Sequence, residues 1–539
     1  MEKYESKIMQ HLGIVAGVCN EIGLAETIDR LIPKPQRKVS VGKAVQAMIF
    51  NAMGFSNRAL YLTPHFYDNR PVDILIGEGI QACYLHDDSL GSALDAVYNY
   101  GETELFYMIS SKALSTYGIV HRFVHLDTTS FSLHGKYNAD DEADSPQVVK
   151  ITKGYSKDKH PNLNQVVLSL MCSYRSSIPV WLEVLSGNNS DKKSFAKSIQ
   201  EYRKQFVRKK LPYVVADSAL YSKSGLSQLS EVKWVTRVPE TLKEAKEAIY
   251  GTEKEKMMPS HEEGYCYREI ESNYADIKQR WLVVFSQKAY EREYKTLVKA
   301  IRKECEIKDK EFWHLSKKAF ACEADAVKAG EAFKQKMKYH TISYTVIKKD
   351  RYKQKGRPGK KMTPVDHEYY LSGSIEINPK KVGAAEHLKG YFIIATNELK
   401  RESITNEQLL SVYKAQGVSV ERGFRFLKDP LFYAESLYLK SPKRIMALIM
   451  VMGLSLLIYS LAEKKLRKIM AESKLSVSDQ KGKATSTPTL RWIFQIFEGI
   501  IVLYIHNSTG LNKIVTNMND EHKIVIKAFG VYVEKMYFF

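Results

Sequence analysis

From residue 121 the apolar pattern of this chain changes to period two, and that change constrains the fold more than any other feature. Residues 123–131, 148–153, 165–172 and 178–184 alternate as half-buried strands do and are joined by short turns. Residues 190–209 read as a basic amphipathic helix and 212–216 as a short buried strand; a helix from about Ser222 then precedes a strand over 233–238. Strand, strand, strand, helix, strand, helix, strand is the order of a ribonuclease-H-like mixed sheet, so an α/β core of that kind is expected.

Upstream, apolar residues recur at helical spacing through 8–31, 41–53 and 89–107, with Pro- or Gly-bearing breaks such as IPKPQRK between them. A helical N-terminal domain over 1–118 follows, serving either as a DNA-end-binding module or as a scaffold. The core then occupies 119–239 and resumes over 389–470, because a strand at 390–396 returns after an insertion, 240–388, that carries strand-like pieces at 281–286 and 369–377 around a charged helical stretch, 290–338. TNEQ at 405–408 fits the capping-box pattern, so the helix bearing Glu421 is expected to start there and to end at Pro430. The remainder, 471–539, is assigned to dimerisation; in it KLSVSDQKGKATSTP reads as a linker before a final apolar helix over 490–504.

Three carboxylates stand out against this layout. Asp127 in HRFVHLDTTSFSLHG and Asp217 in LPYVVADSALYS close short apolar runs, and Glu421 in VSVERGFRFLKDP shares a helix face with Arg425 and Lys428, four and seven positions on. Each aspartate alone is as readily a turn cap; two strand aspartates and a helical glutamate together are what two Mg²⁺ ions require for phosphodiester chemistry. Mg²⁺ keeps several waters and needs few protein ligands, so three carboxylates suffice, with Asp127 bridging the ions, Asp217 and Glu421 holding one each, and Mn²⁺ able to substitute. His121, His125 and His134 lack partners at metal-ligand spacing and read as core or surface residues; Trp281 and Trp313 fit packing better than base stacking.

The charge balance agrees with a polyanionic partner. Lys and Arg outnumber Asp and Glu by 81 to 61, and since residues 1–120 hold ten basic and thirteen acidic side chains, the surplus lies beyond them. Residues 348–361, KKDRYKQKGRPGKK, concentrate eight basic residues against one acidic; Lys355, Arg357, Lys360 and Lys361 there are candidate DNA contacts, either in a minor groove through the Gly356-Arg357-Pro358 core or as a solvated basic loop. The six cysteines form no metal or disulfide pattern and MEKYESKIMQ lacks a leader pattern, which together suit a reducing cytosol. Residues 445–462 are long and apolar enough to cross a membrane, but a helix buried in the α/β core is the better reading, because a span there would set Glu421 against lipid headgroups.

The segments DTTSFSLHG, GYSKDKHPNLNQ, LSGNNSDKKSF, ADSALYS and ERGFRFLKDPLF resemble the DDE transposases of bacterial insertion sequences, in particular the IS-four superfamily and its IS-sixteen-thirty-four branch, over roughly residues 10–465. The resemblance implies that Asp127, Asp217 and Glu421 are the catalytic, metal-binding acids. It further implies double-stranded DNA (terminal inverted repeats and target) as substrate, a homodimer that synapses two ends, and cut-and-paste movement with a hairpin step. Basic residues four and seven positions after the glutamate are matched by Arg425 and Lys428; Arg422 and Tyr413 are further DNA-contact candidates. The family's Tyr and Arg, seven and four positions before the glutamate, are replaced by Lys414, with Tyr413 one step off register, and Gly417. The expectation is therefore a cytosolic Mg²⁺-dependent transposase without membrane attachment. Its rivals are a transposase-derived DNA-binding protein that no longer cuts and a membrane-anchored protein built around 445–462.

Overall fold

The computed structural model describes residues 3–33, 38–55, 60–135, 137, 148–206, 211–352, 364–432, 439–508 and 510–539. They divide into two compact units: 1–236 with 273–277 and 396–539, and 237–272 with 278–395.

The first unit is built on a mixed sheet in which strands Pro179–Ser186, Asn164–Ser173, Phe123–Leu133, Tyr213–Ala216 and Trp234–Val238 lie side by side in that order. The first three strands pair antiparallel, whereas Phe123–Leu133 runs parallel to Tyr213–Ala216, and Tyr213–Ala216 parallel to Trp234–Val238. In chain order the strands stand 3-2-1-4-5, with helix Asp191–Lys204 inserted between the third and the fourth. This is the ribonuclease-H-like arrangement. Near-continuous burial of VVA and of VVLSLMC, flanked by helices on both faces, explains why these strands read as apolar runs.

Helices Leu12–Glu21, Val41–Met53, Asp87–Tyr100 and Glu102–Thr116 precede the sheet, and the apolar segment forms the long helix Pro442–Glu472. Of its most apolar stretch, 89% is buried inside this unit. Its charges are matched at both ends: Arg444 makes two 2.8 Å hydrogen bonds to Asp95, and the buried Glu463 accepts from Arg422 and sits 3.1 Å from Arg467. A helix apolar all round is thus a core helix here.

Four local expectations are corrected. Residues 148–153 form no strand, and only Thr152 bridges to Gln165. Asp127 does not close its strand but is the fifth of eleven residues, because TTSFSL continues the pairing down to Leu133↔Asn164. The capping box at Thr405 starts a different helix, Asn406–Lys414; that helix ends at Ala415, and Glu421 lies on a second helix, Gln416–Leu427, that stops before Pro430. Gly417, a weak helix former, falls in the first turn of that second helix. The final apolar run is helical only over Leu490–Ile496, after which Ile501–Asn507 becomes the middle strand of a three-stranded sheet between Lys3–Ile8 and Gly510–Thr516.

The second unit contains strands Tyr265–Tyr274, Ile277–Ser286 and Tyr391–Thr396, and a long hairpin, His340–Arg351 against Asp366–Ile377. Helices Gln287–Ser316 and Glu323–Gln335 accompany the hairpin, and Phe312, Ala326, Phe333, Met337, Ile342 and Leu371 bury their side chains together as its core. Trp281 is 2% exposed and donates to Gln279, consistent with packing, whereas Trp313 is 58% exposed. Lys355, Arg357, Lys360 and Lys361 lie outside the described residues.

Candidate active site

The parallel register pairs Leu126 with Ala216, so Asp127, the next residue of its strand, is followed across the pair by Asp217, the first residue past the end of Tyr213–Ala216. Strands lie about 4.8 Å apart, which sets the two carboxylates beside each other. Backbone amides orient both: Thr128 N–H donates to Asp127 Oδ1 at 2.7 Å, and Ala219 N–H donates to Asp217 Oδ1 at 2.9 Å. Thr236 Oγ1 donates to the Asp217 carbonyl at 2.6 Å from the next strand. Burial pushes the Asp127 carboxyl up to about 6, with the negative charges of Asp217 and Asp191 adding to the rise and Lys157 opposing it. Burial likewise raises Asp217, again with Asp191 contributing.

Asp191 and Lys157 were not anticipated from the sequence. Asp191 opens helix Asp191–Lys204, where its carboxylate suits the N-terminal end of the helix dipole. It accepts a hydrogen bond from Thr128 Oγ1, the residue next to Asp127. Lys157 comes from the connection before Asn164–Ser173, and its backbone N–H is pinned to Ser130 Oγ at 3.0 Å. Its ammonium donates to Thr128 O at 2.6 Å and Thr128 Oγ1 at 2.9 Å, and lies 3.5 Å from Asp127 Oδ1 and 3.3 Å from Asp191 Oδ2.

Two glycines let these segments close on each other. A Cβ at Gly154 would lie 2.0 Å from the Gly187 carbonyl oxygen, and one at Gly187 would lie 2.0 Å from the Gln165 carbonyl oxygen. Gln165 Nε2 donates to Gly187 O at 2.7 Å and to Tyr155 O at 3.3 Å, tying both segments to the strand paired with that of Asp127. A signal was therefore present in GYSKDKHPNLNQ and LSGNNSDKKSF, as the small and amide residues beside each charged one.

Glu421 sits on a helix that buries Val420, Phe424 and Leu427 and packs across the Asp127 strand and its antiparallel neighbour. Arg175 N–H donates to Ser419 Oγ at 3.0 Å, Ser177 Oγ donates to Val418 O at 2.6 Å, and one helix earlier Val412 O accepts from His125 Nε2 at 2.8 Å. The buried His125 is held at about 4 by desolvation, so it serves here as a neutral donor. Glu421 itself is exposed and, among the described residues, makes no hydrogen bond or ion pair. Among the described residues, the oxygens of Asp127, Asp217 and Glu421 do not all come within 4.8 Å of one another. Strand register and Thr128 thus set Asp127, Asp217 and Asp191 close enough for their charges to act on one another, while Glu421 makes no hydrogen bond or ion pair among the described residues.

The basic residues of this helix separate as well. Arg425 is exposed and likewise unpaired among the described residues. Lys428 caps the helix and is bound to Asp158 at 2.6 and 2.7 Å, next in sequence to Lys157. Arg422 turns inward to Glu463, and Tyr413 belongs to the preceding helix, half-buried.

A family model described as a transposase DDE domain matches residues 119–459, and one described as a domain of unknown function, DUF4277, matches residues 4–111. No curated protein matches the chain. Among solved structures, the chain is similar to a piggyBac transposase synaptic complex with hairpin DNA, at 8% identity and a TM-score of 0.37 over 92% of this chain and 82% of that one.

Proposed function

The chain belongs to the transposase DDE family, and from that premise we propose that it cuts DNA at the terminal inverted repeats of an insertion sequence and joins the freed 3′-OH ends to target DNA. The observation that carries this reading is the register that sets Asp127 beside Asp217, with a side-chain cation lodged against Asp127. A place that accepts an ammonium among hard carboxylate oxygens suits a hard divalent cation. Asp127, Asp217 and Glu421 would hold Mg²⁺ or Mn²⁺. Two such ions when bound supply activation of the attacking oxygen and stabilisation of the leaving oxygen.

The chain's own residues then divide the work. Asp127 and Asp217, fixed by strand pairing and backbone amides, present their carboxylates without reorganisation. Glu421 approaches from the packed helix and completes the set. Arg425, exposed one turn on from Glu421, holds a phosphate of the DNA backbone, a contact that positions the duplex without reading its sequence. Two copies of the chain pairing two ends, as in the IS-four superfamily that the motifs resemble, would place one such site at each end.

The test is a nicking assay on a labelled duplex carrying the terminal repeat found in the DNA flanking the gene. The wild-type chain is expected to nick it in Mg²⁺ and to stop in chelator. Asp127→Asn should bind the duplex without cutting. A wild-type chain that binds and never cuts, with Mg²⁺ or Mn²⁺, would establish the non-cutting DNA-binding reading instead.

A further inference from the structure

Lys157 contributes a positive charge where the reading above places a metal ion, and the way it is held decides what it does there. An ammonium has three N–H donors. Two go to the same residue, Thr128, at 2.6 and 2.9 Å. One donor remains to serve two carboxylates, Asp127 at 3.5 Å and Asp191 at 3.3 Å, both longer than a charge-assisted hydrogen bond. The carboxylates are therefore neutralised by proximity and not captured by short bonds. A divalent cation at that point would bring twice the charge and shorter contacts.

The backbone and side chain of Lys157 also differ in freedom. The backbone is fixed by the Ser130 hydrogen bond and by the close packing of Gly154 on Gly187. The side chain is 34% exposed, so the ammonium can leave without the segment moving. Its neighbour Asp158 holds Lys428 at the end of the Glu421 helix, so the same two residues touch both halves of the site.

Resting on the metal-site reading, we infer that Lys157 is the resident counter-ion of the Asp127–Asp191 pair, a positioning residue that holds these carboxylates in the metal-free protein and is displaced when a divalent cation binds. Its loss should have opposite effects on the two states: the metal-free protein loses the charge that offsets two partly buried carboxylates, while the metal no longer competes with a cation already in place.

The experiment measures Mn²⁺ binding to the full chain by the paramagnetic resonance signal of free Mn²⁺, with thermal melting in chelator and in saturating Mn²⁺. Lys157→Met is expected to bind Mn²⁺ about tenfold tighter, as befits removal of one unit charge a few ångströms from the ion. It should melt lower than wild type in chelator and rejoin it in Mn²⁺. Lys157→Arg, which keeps the charge, should track wild type. Should Lys157→Met fail to fold, Lys157→Gln is judged by the same measure. Equal or weaker Mn²⁺ binding by a folded neutral variant overturns the counter-ion role, since a merely structural lysine would lower stability without tightening the metal. Asp127→Asn separates the two readings: if it binds Mn²⁺ as tightly as wild type, the metal site itself is wrong, whatever Lys157 does.

Discussion

The strand-borne acids and the helix-borne acid of the candidate site are held in opposite ways. Asp127 is buried enough to push its carboxyl up to about 6, receives a backbone N–H, and faces Asp217, Asp191 and Lys157. Glu421 stands exposed on a helix whose buried side is fully engaged, and its own carboxylate touches no partner among the described residues. The sheet half is thus charged and crowded, while the helix half holds a carboxylate without a partner among the described residues.

The largest effects that test this division are on cleavage. Asp127→Asn, Asp217→Asn and Glu421→Gln should each reduce nicking by at least about a hundredfold, beyond the 10–100-fold typical of residues that merely support a metal ligand. Stability should separate them. At pH 7 Asp127→Asn removes a carboxylate whose charged form is opposed by burial, so the metal-free protein should gain on the order of 1 kcal/mol. Glu421→Gln should leave melting unchanged. Equal shifts in the two variants would show that the glutamate is as engaged as the aspartate and would dissolve the comparison.

Next in size is the response to pH. The folded Asp127 carboxyl titrates at about 6, above the 3.8 of a free side chain. Between those values the folded protein holds the extra proton, so the stability of the metal-free chain should fall as pH rises from about 4 to about 6 and then level off. Metal requires the deprotonated carboxylate, so Mn²⁺ affinity should rise over the same range, by up to about tenfold per pH unit below 6. Melting curves across this range, in chelator and in Mn²⁺, should diverge as pH rises. Parallel curves would place the metal away from Asp127.

How much of this was legible in the sequence follows from how local each signal is. The strand runs and the two aspartates came from short apolar segments, and the parallel register that unites them is the usual consequence of a strand, helix, strand order. Asp191 and Lys157 escaped notice because each is an ordinary charge in a loop or a first helical turn. The packing of Gly154 on Gly187, some thirty positions apart, and the hydrogen bonds to Ser130 and Thr128 bring them to Asp127. The break at Ala415 was hidden by a valid capping box upstream, which fixes where a helix starts and not how far it runs. Residues 501–504, the first part of strand Ile501–Asn507, fit the apolar helix expected over 490–504 because a short apolar run has no decisive period, and the partners of that strand, Lys3–Ile8 and Gly510–Thr516, include one at the other end of the chain. The apolar stretch within Pro442–Glu472 is legible as core because a span there would set Glu421 against lipid headgroups, and the structure adds partners for charges of that helix, Arg444 with Asp95 and Lys465 with Glu21.

The smallest effects sharpen the contrast within the Glu421 helix itself. Arg425 is exposed and unpaired among the described residues, whereas Lys428 is tied to Asp158 at 2.6 Å. Freeing Lys428 for a phosphate requires breaking that pair; freeing Arg425 requires nothing. Arg425→Ala should therefore weaken binding to the repeat duplex and lower the slope of log affinity against log salt by about 0.9, the value of one phosphate contact on B-form DNA, with melting unchanged. Lys428→Ala should leave the slope nearly as it was and cost about 0.2 to 1 kcal/mol of stability, the usual range for a partly exposed ion pair. Nicking by this variant should slow only a few-fold, with Mn²⁺ affinity preserved, because the ammonium supports the segment beside Lys157 and ligates no metal. Binding isotherms at several salt concentrations decide the matter. If Lys428→Ala flattens the slope as much as Arg425→Ala does, the Asp158 pair opens when DNA arrives, and Lys428 is a phosphate clamp held in reserve beside Arg425.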